Sequence, residues 1–398
     1  MEELITYQDI LLKQVHSDWH RYLFSNLSDN ERLIGIKGIR GTGKSTMLLQ
    51  HLVNEEKKGT KGLYITMEHP YFYNNTLFDL AGRWYSYGGR LLLIDEVHKY
   101  TNWSKELKLV YDGFRDMKVI FTSSSALDLY RGEADLSRRL SSVTLHGLSF
   151  REFLSLVHGI KIDKIPFQEI LKDPRAASQI VLKQLQPLSY FKQYLREGYF
   201  PFIKDINPEN LPKRLFQVIN TVLESDLAYI QDFSLANVVK IKSLLGVIAE
   251  SAPFEPNISK LAQKMQLGRQ TVNIYLKHLQ DAGILNLLFK SAKGISLLQK
   301  PGKIYFENSN FVLAMQHQPS VGTLRETFFM NQIRNAGHTI TLAEKGDFLI
   351  DDKYTFEVGG KNKDLSQIKN LADAFLAVDE IEIGFGQKIP LWLFGFLY

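Results

Sequence analysis

Residues 33–46 read LIGIKGIRGTGKST. A short apolar run breaks into glycines and then into Gly-Lys-Ser-Thr. Gly38, Gly43, Lys44 and Ser45 fall at the spacing G-x-x-x-x-G-K-[ST]. Strand, glycine loop and helix start form the context in which this spacing carries chemistry. Glycines at 38, 41 and 43 let backbone N–H groups curl round a phosphate, and the helix N-terminus adds partial positive charge. Lys44 is then placed to bridge the β- and γ-phosphates of ATP. Ser45 offers a hydroxyl to Mg²⁺, with Thr46 beside it in the first helical turn. The bland reading is a glycine turn that only joins strand to helix, and it loses ground once strand and helix flank the loop in the required order.

The partner motif is LLLIDE (91–96). Its four apolar residues bury a strand, Asp95 at the C-terminal end faces the metal, and Glu96 polarises the attacking water as a general base. Taken alone, an apolar strand ending in two acids is often just a strand end. Following Lys44 with one strand between, it reads as the second half of a nucleotide site. LIGIKG (33–38), KGLYITME (61–68), RLLLIDE (90–96) and MKVIFTS (117–123) are short apolar runs separated by helical stretches. That pattern argues a parallel sheet covered on both faces. Placing Asp95 beside the phosphate loop requires the intervening strand to sit elsewhere in the sheet.

At 398 residues the chain is too long for one core, and roughly two to four domains are expected. Hydrophobic residues at 44% and charged ones at 23% are ordinary for a globular protein. A formal charge of +5 tolerates a nucleic-acid partner without requiring one. With no cysteine, disulfides and thiolate metal sites are excluded. The opening MEELITYQDI is acidic and amphipathic rather than basic and then apolar, so it does not read as a signal peptide. No apolar run reaches the length of a membrane span. The expected setting is cytoplasmic.

Beyond residue 150 the periodicity turns helical, as in FREFLSLVHG and SQIVLKQLQPLSYFKQYL. Residues 258–285, ISKLAQKMQLGRQTVNIYLKHLQDAGIL, predict a short helix, a tight turn at QLG and a second helix from Arg269. Val272, Tyr275, Leu276 and Leu279 supply its packing face. NLLFK and ISLLQ, joined by SAKG, predict a β-hairpin wing, so the stretch has the signature of a winged helix-turn-helix. Arg269, Gln270, Asn273 and Lys277 fall off the packing face and are side chains suited to base edges and phosphates of double-stranded DNA. Winged helices also serve as protein-binding modules, so a protein partner stands as the alternative.

DEVHKYTNW, VIFTSSSALDL and LSRRLSSVTLHGLSFREFL follow one another in an order that resembles the AAA-type ATPases of bacteria and archaea with a C-terminal nuclease-like domain. That family has Thr-Gly-Ser-Ser, Leu-x-Gly-Arg and Pro-Leu-Ser-x-x-Glu-Phe in turn. Here Thr122 to Ser125, Leu136 to Arg139 and Gly147 to Phe153 stand at those places, with glycine where proline is usual. YLREGYFP (194–201) resembles the family's Tyr-Leu-x-x-Gly-Gly-x-Pro. The resemblance implies that Thr122 and Ser124 sense the γ-phosphate, and that Arg139 is the arginine acting on transferring phosphate, in cis or in trans. The implied fold class is α/β: a P-loop NTPase of the AAA type with a parallel sheet (1–155), a helical lid (156–235), a winged helix-turn-helix (236–305) and a small α/β nuclease-like domain (306–398).

The last of these brings in GDFLIDDKYTFEVGGKNK (346–363). The restriction-endonuclease fold uses a helix glutamate, an acid at a strand end, Glu-x-Lys on the next strand and often a following glutamine. Glu326, Asp347, Glu357 and Gln367 fall in that order, but Gly359 stands where the lysine belongs. Asp347 and Glu357 suit Mg²⁺, and Lys361 is the nearest candidate to orient a water. It reaches them only if Gly359 and Gly360 bulge. A straight strand leaves it a pleat too far, and that geometry is the expected one. The reading is therefore an ATPase that uses ATP and Mg²⁺ to drive or gate a DNA- or protein-binding module, with room for an oligomer and no membrane. The rivals are an ATP-gated nuclease and a non-enzymatic nucleotide switch.

Overall fold

The computed structural model describes residues 1–28, 31–123, 136, 138–226, 235–250, 253, 255–290, 300–316, 318–369 and 371–398. These form two compact units. One covers Met1–His146, and the other holds the described residues from Gly147 to Tyr398.

The first unit runs α1 (Glu2–Leu12), β1 (Leu33–Lys37), α2 (Lys44–Lys57), β2 (Gly62–Thr66), α3 (Leu77–Ser86), β3 (Leu91–Asp95), α4 (Trp103–Gly113), β4 (Lys118–Ser123) and β5 (Ser141–Thr144). The strands make one parallel sheet in the order β2-β3-β4-β1-β5. Side chains alternate across a strand, so each face takes every second residue. Leu92 and Ile94 join Leu80 and Trp84 of α3 and Leu107 and Val110 of α4 on one face. Leu91 and Leu93 join Met47, Leu48 and Leu52 of α2 on the other. Both faces are covered, which is why these strands read as unbroken apolar runs. β2 lies at the edge and β4 is inserted between β1 and β3. At the edge, Gln8 of α1 accepts a hydrogen bond from the Tyr64 N–H at 2.7 Å, pairing a backbone group the sheet leaves open.

The second unit begins with α5 (Phe150–His158), α6 (Phe167–Lys172), α7 (Pro174–Leu182), α8 (Pro187–Glu197), α9 (Leu211–Thr221) and α10 (Leu235–Ala249). The boundary expected at residue 155 falls inside α5, whose start is tied to the other end of this unit. Ser149 Oγ and Arg151 Nε each donate to the Tyr398 carbonyl at 2.9 Å. The Phe150 and Phe396 rings meet edge-on at 5.6 Å.

Next come α11 (Ile258–Lys264) and α12 (Arg269–Asp281), joined through Gln266 at φ 52. β6 (Leu285–Leu288) pairs antiparallel with β7 (Lys303–Phe306). β6, within the NLLFK stretch, thus has KIYF as a partner, while the expected wing strand ISLLQ and its SAKG turn lie outside the described residues. KIYF buries three aromatic and branched side chains against that pairing. The chain continues through α13 (Ser309–Met315) and α14 (Val321–Asn335) to β8 (Ile340–Leu342), β9 (Phe348–Ile350), β10 (Tyr354–Gly359), β11 (Ala374–Val378) and β12 (Lys388–Pro390). These last strands form a mixed sheet, β12-β11-β10-β9-β8, parallel from β10 to β12 and antiparallel from β8 to β10. Phe329 of α14 packs on it, its ring 5.0 Å from Phe356 and 4.8 Å from Phe394.

Candidate functional site

Between β1 and α2 the chain turns through Gly41 (φ 87) and Gly43 (φ 91), in the left-handed region that glycine enters without strain. Gly38 is required for a different reason. A Cβ there would lie 2.4 Å from the Leu145 carbonyl oxygen. Lys44 is buried, and its ammonium folds back to donate to the carbonyls of Gly38 (2.7 Å) and Ile39 (3.2 Å). Ser45 is half-buried and Thr46 exposed in the first turn of α2. The loop is braced from behind by Arg21, a buried residue the sequence reading did not single out. Its guanidinium donates to the Thr42 carbonyl and, at 2.7 Å, to that of His146.

Asp95 ends β3 with both carboxylate oxygens engaged. Oδ2 accepts from the Tyr64 hydroxyl of β2 at 2.9 Å, and Oδ1 from the Thr122 hydroxyl of β4. Burial, then the Asp95 charge, pushes the Tyr64 phenol up, so it stays a proton donor. Thr122 also accepts from the Glu96 N–H at 3.0 Å. One buried hydroxyl on the middle strand thus sets both acids. Glu96 itself sits at φ 54, a strained position for a non-glycine residue and one that turns its side chain out of the strand direction. Its Oε2 lies 3.7 Å from Arg40 of the phosphate loop and 3.3 Å from His98 Nε2. His98 is enclosed, with Nδ1 3.4 Å from Ser123 Oγ. Burial, helped by Lys99, Lys44 and Arg40, drives its pKa down to about 3, so the imidazole is neutral. Tyr64, Arg40 and His98 carried no motif of their own. The only signal available was their position next to the acids or inside the glycine loop.

Arg139 makes a two-pronged pair with Asp112 of α4, at 2.9 and 3.0 Å, and its guanidinium lies over the Tyr111 ring. Its contacts are with α4 rather than with the phosphate loop. Ser124 lies outside the described residues.

In the second unit, Arg269, Gln270, Asn273 and Lys277 are exposed along α12, while Val272, Tyr275, Leu276 and Leu279 are buried. Lys277 is paired within the helix to Asp281. On the mixed sheet, β10 stays in unbroken register with β11 through Gly359, so Gly359 forms no bulge, and Gly360 lies just beyond the strand. They serve close approach instead. A Cβ on Gly359 would lie 2.7 Å from Lys363 Cγ, and one on Gly360 would lie 2.8 Å from Arg325 Nη1. Lys361 is exposed beyond the strand and does not join the acids. The lysine that does is Lys363, whose stem crosses Gly359 to put Nζ 2.5 Å from Glu357 Oε1. Gln367, with its amide nitrogen facing the carboxylate, donates to Glu357 at 2.8 Å. Asp347 Oδ2 accepts from the Val358 N–H at 2.9 Å, and Glu326 Oε2 from the Tyr305 hydroxyl at 2.8 Å.

Residues 30–154 match the family model described as AAA domain, and residues 188–320 match a domain of unknown function (DUF8612). The first match agrees with the phosphate loop, the parallel sheet and the acids at the end of β3, and makes this part of the chain a P-loop domain of the AAA type. An uncharacterized protein of Methanocaldococcus jannaschii, MJ1637, is 24% identical over 91% of this chain and 82% of its own length. Among solved structures, AMPPCP-bound DnaA from Aquifex aeolicus is 14% identical with a TM-score of 0.29, covering 68% of this chain and 86% of that one. ADP-bound NtrX from Brucella abortus is 18% identical with a TM-score of 0.28, covering 68% and 67%. No described helix is long and apolar enough to cross a membrane.

Proposed function

We propose that the first unit binds ATP with Mg²⁺ and hydrolyses it, and that this cycle drives or gates a second unit that binds duplex DNA or a protein. The observation that carries this reading is the knot of Asp95, Glu96 and Thr122, with Glu96 reaching Arg40 in the phosphate loop. The Ser45 hydroxyl and the Asp95 carboxylate are hard oxygen donors that fit Mg²⁺. Held there with ATP, the ion supplies neutralisation of the phosphate charge. The rest is the work of the chain. Lys44 leaves the Gly38 and Ile39 carbonyls for the β- and γ-phosphates, the loop N–H groups hold the β-phosphate, and Glu96 takes the proton of the attacking water. Thr122 keeps both acids in place, with Ser124 expected beside it at the γ-phosphate. Arg139 acts on phosphate only after leaving Asp112.

For the second unit, the two helices α11 and α12 with the β6–β7 pair support a winged helix within 236–305, presenting Arg269, Gln270, Asn273 and Lys277 to nucleic acid. Helix α14 on a mixed sheet supports a nuclease-like domain within 306–398, and the helices between support a lid within 156–235. Lys303, seated between Glu326 and Asp347, weighs against an ATP-gated nuclease. The test is thermal unfolding and phosphate release with ATP and Mg²⁺, with and without duplex DNA. Wild type should be stabilised by ATP and release phosphate, and Lys44→Ala should do neither. No ATP-dependent stabilisation of wild type would sink the reading. Stabilisation without phosphate release would leave the nucleotide switch.

A further inference from the structure

Glu326 of α14, Asp347 at the head of β9 and Glu357 of β10 are carboxylates of one neighbourhood. Asp347 sits close enough to Glu326 to add to the upward shift that burial gives that carboxyl. A nuclease-like fold implies a divalent cation among such acids, since oxygen donors of this kind hold Mg²⁺. The residues present do not fit one. Lys303 of β7 puts its ammonium 3.6 Å from Glu326 Oε2 and 3.8 Å from Asp347 Oδ1. Lys363 holds Glu357. Among the described residues, no group of three acids or histidines is placed to hold a metal.

We infer that Lys303 is a built-in replacement for a divalent cation, making the acid cluster of the second unit a metal-free ion-pair lock. The physical case rests on tethering. An ammonium carried on a strand has an effective concentration of about millimolar or more at its partners, whereas Mg²⁺ must be captured from solution and gives up its waters reluctantly. One monovalent charge shared by two repelling carboxylates also relieves the cost of bringing them together. The lock has a structural consequence, because β7 is the strand paired to β6 behind α12. The contact that fills the cation seat therefore ties the helix-turn-helix module to α14 and β9. The inference concerns the second unit alone and stands whether or not the first hydrolyses ATP.

The test is Mn²⁺ binding to the full chain without nucleotide, followed by electron paramagnetic resonance and by thermal unfolding. Wild type, Asp347→Asn, Lys303→Met, Lys303→Gln and Lys303→Met/Asp347→Asn are compared. Wild type should show no Mn²⁺ uptake that depends on Asp347. Each Lys303 variant should unfold at lower temperature than wild type, bind Mn²⁺ at least about tenfold more tightly, and regain stability with it. The double variant should lose that binding. A Lys303 variant that folds only with Mn²⁺ present is the same result in stronger form. Equal uptake by wild type and variants, no uptake by either variant, a variant that stays unfolded with Mn²⁺, or Mn²⁺-dependent cutting of DNA by wild type would each overturn the inference.

Discussion

Each unit of this protein contains a five-stranded sheet with carboxylates gathered near one of its strands, and the two treat those carboxylates in opposite ways. At the end of β3, hydroxyls of Tyr64 and Thr122 hold Asp95 without cancelling its charge. Around β10 the acids face ammonium groups, Lys363 on Glu357 and Lys303 between Glu326 and Asp347. A neutral donor orients a carboxylate and leaves it attractive to a cation or a proton. An ammonium satisfies it outright. The lesson is that three acids in the order of an active site say little about chemistry until the charges facing them are known.

The sharpest way to break this comparison is to make the same substitution at both places. Glu96→Gln should leave ATP binding intact and slow hydrolysis by about a hundredfold or more, because it removes the general base. Glu357→Gln should instead appear as lost stability, since it strands the Lys363 ammonium. Phosphate release and ATP-dependent unfolding temperature separate the two, and normal turnover in Glu96→Gln would end the catalytic assignment.

Acid should also distinguish the units. Burial drives His98 down to about 3 and His51 down to about 4. Both folded-state values lie below the unfolded one, so the unfolded chain takes up protons first as pH falls. The first unit should therefore lose stability below pH 6.5, by roughly 2 kcal/mol per histidine at pH 5. Glu307 in the second unit is the reverse case. Desolvation, opposed by Arg334 and by hydrogen bonds from Asn286, Tyr199 and Asn331, leaves its carboxyl raised to about 7. Its folded-state value lies above the unfolded one, so stability is lost as pH rises from 4.5 through 7, by roughly 3 kcal/mol in all. Amide exchange in peptides from β3 and from β10, at pH-corrected rates, should move in opposite directions between pH 5 and 7. Movement in the same direction would show that these groups do not set the response.

A finer probe is Gly359→Ala. Its Cβ meets the stem of Lys363, and displacing that lysine leaves a buried Glu357 carboxylate short of its cation, at a cost of about 1–3 kcal/mol. Lys363→Met should cost a similar amount, and the double variant little more than either alone. Additive losses in urea unfolding would mean that the glycine serves something other than the lysine. The smallest effect is expected on α12. Arg269→Ala with Lys277→Ala should lower the log–log salt slope of duplex binding by about one unit for each phosphate the helix no longer neutralises. Unchanged affinity would move that helix to protein contacts.

Much of the first unit was legible because its signals are local. Apolar runs declare buried parallel strands, and a glycine loop between strand and helix declares its own conformation. The four packing residues of α12 were legible for the same reason, since helical period alone selects them. What could not be read was which distant groups arrive at a given place. The insertion of β4 between β1 and β3 delivers Thr122 to both acids, and no spacing in the chain encodes that neighbour. Arg21 braces the phosphate loop from before β1, and KIYF, which the sequence reading did not pair, arrives beside β6. At EVGGK, strand period puts Lys361 a pleat beyond the acids but could not supply Lys363, because the path beyond Gly359 is set by tertiary packing. By itself the sequence determined the strands, the phosphate loop and the identity of the acids, since these depend on neighbours within a few residues. Only the tertiary structure decided which acids stay open and which are closed by lysine, because a long side chain pairs with whatever the fold brings within its reach.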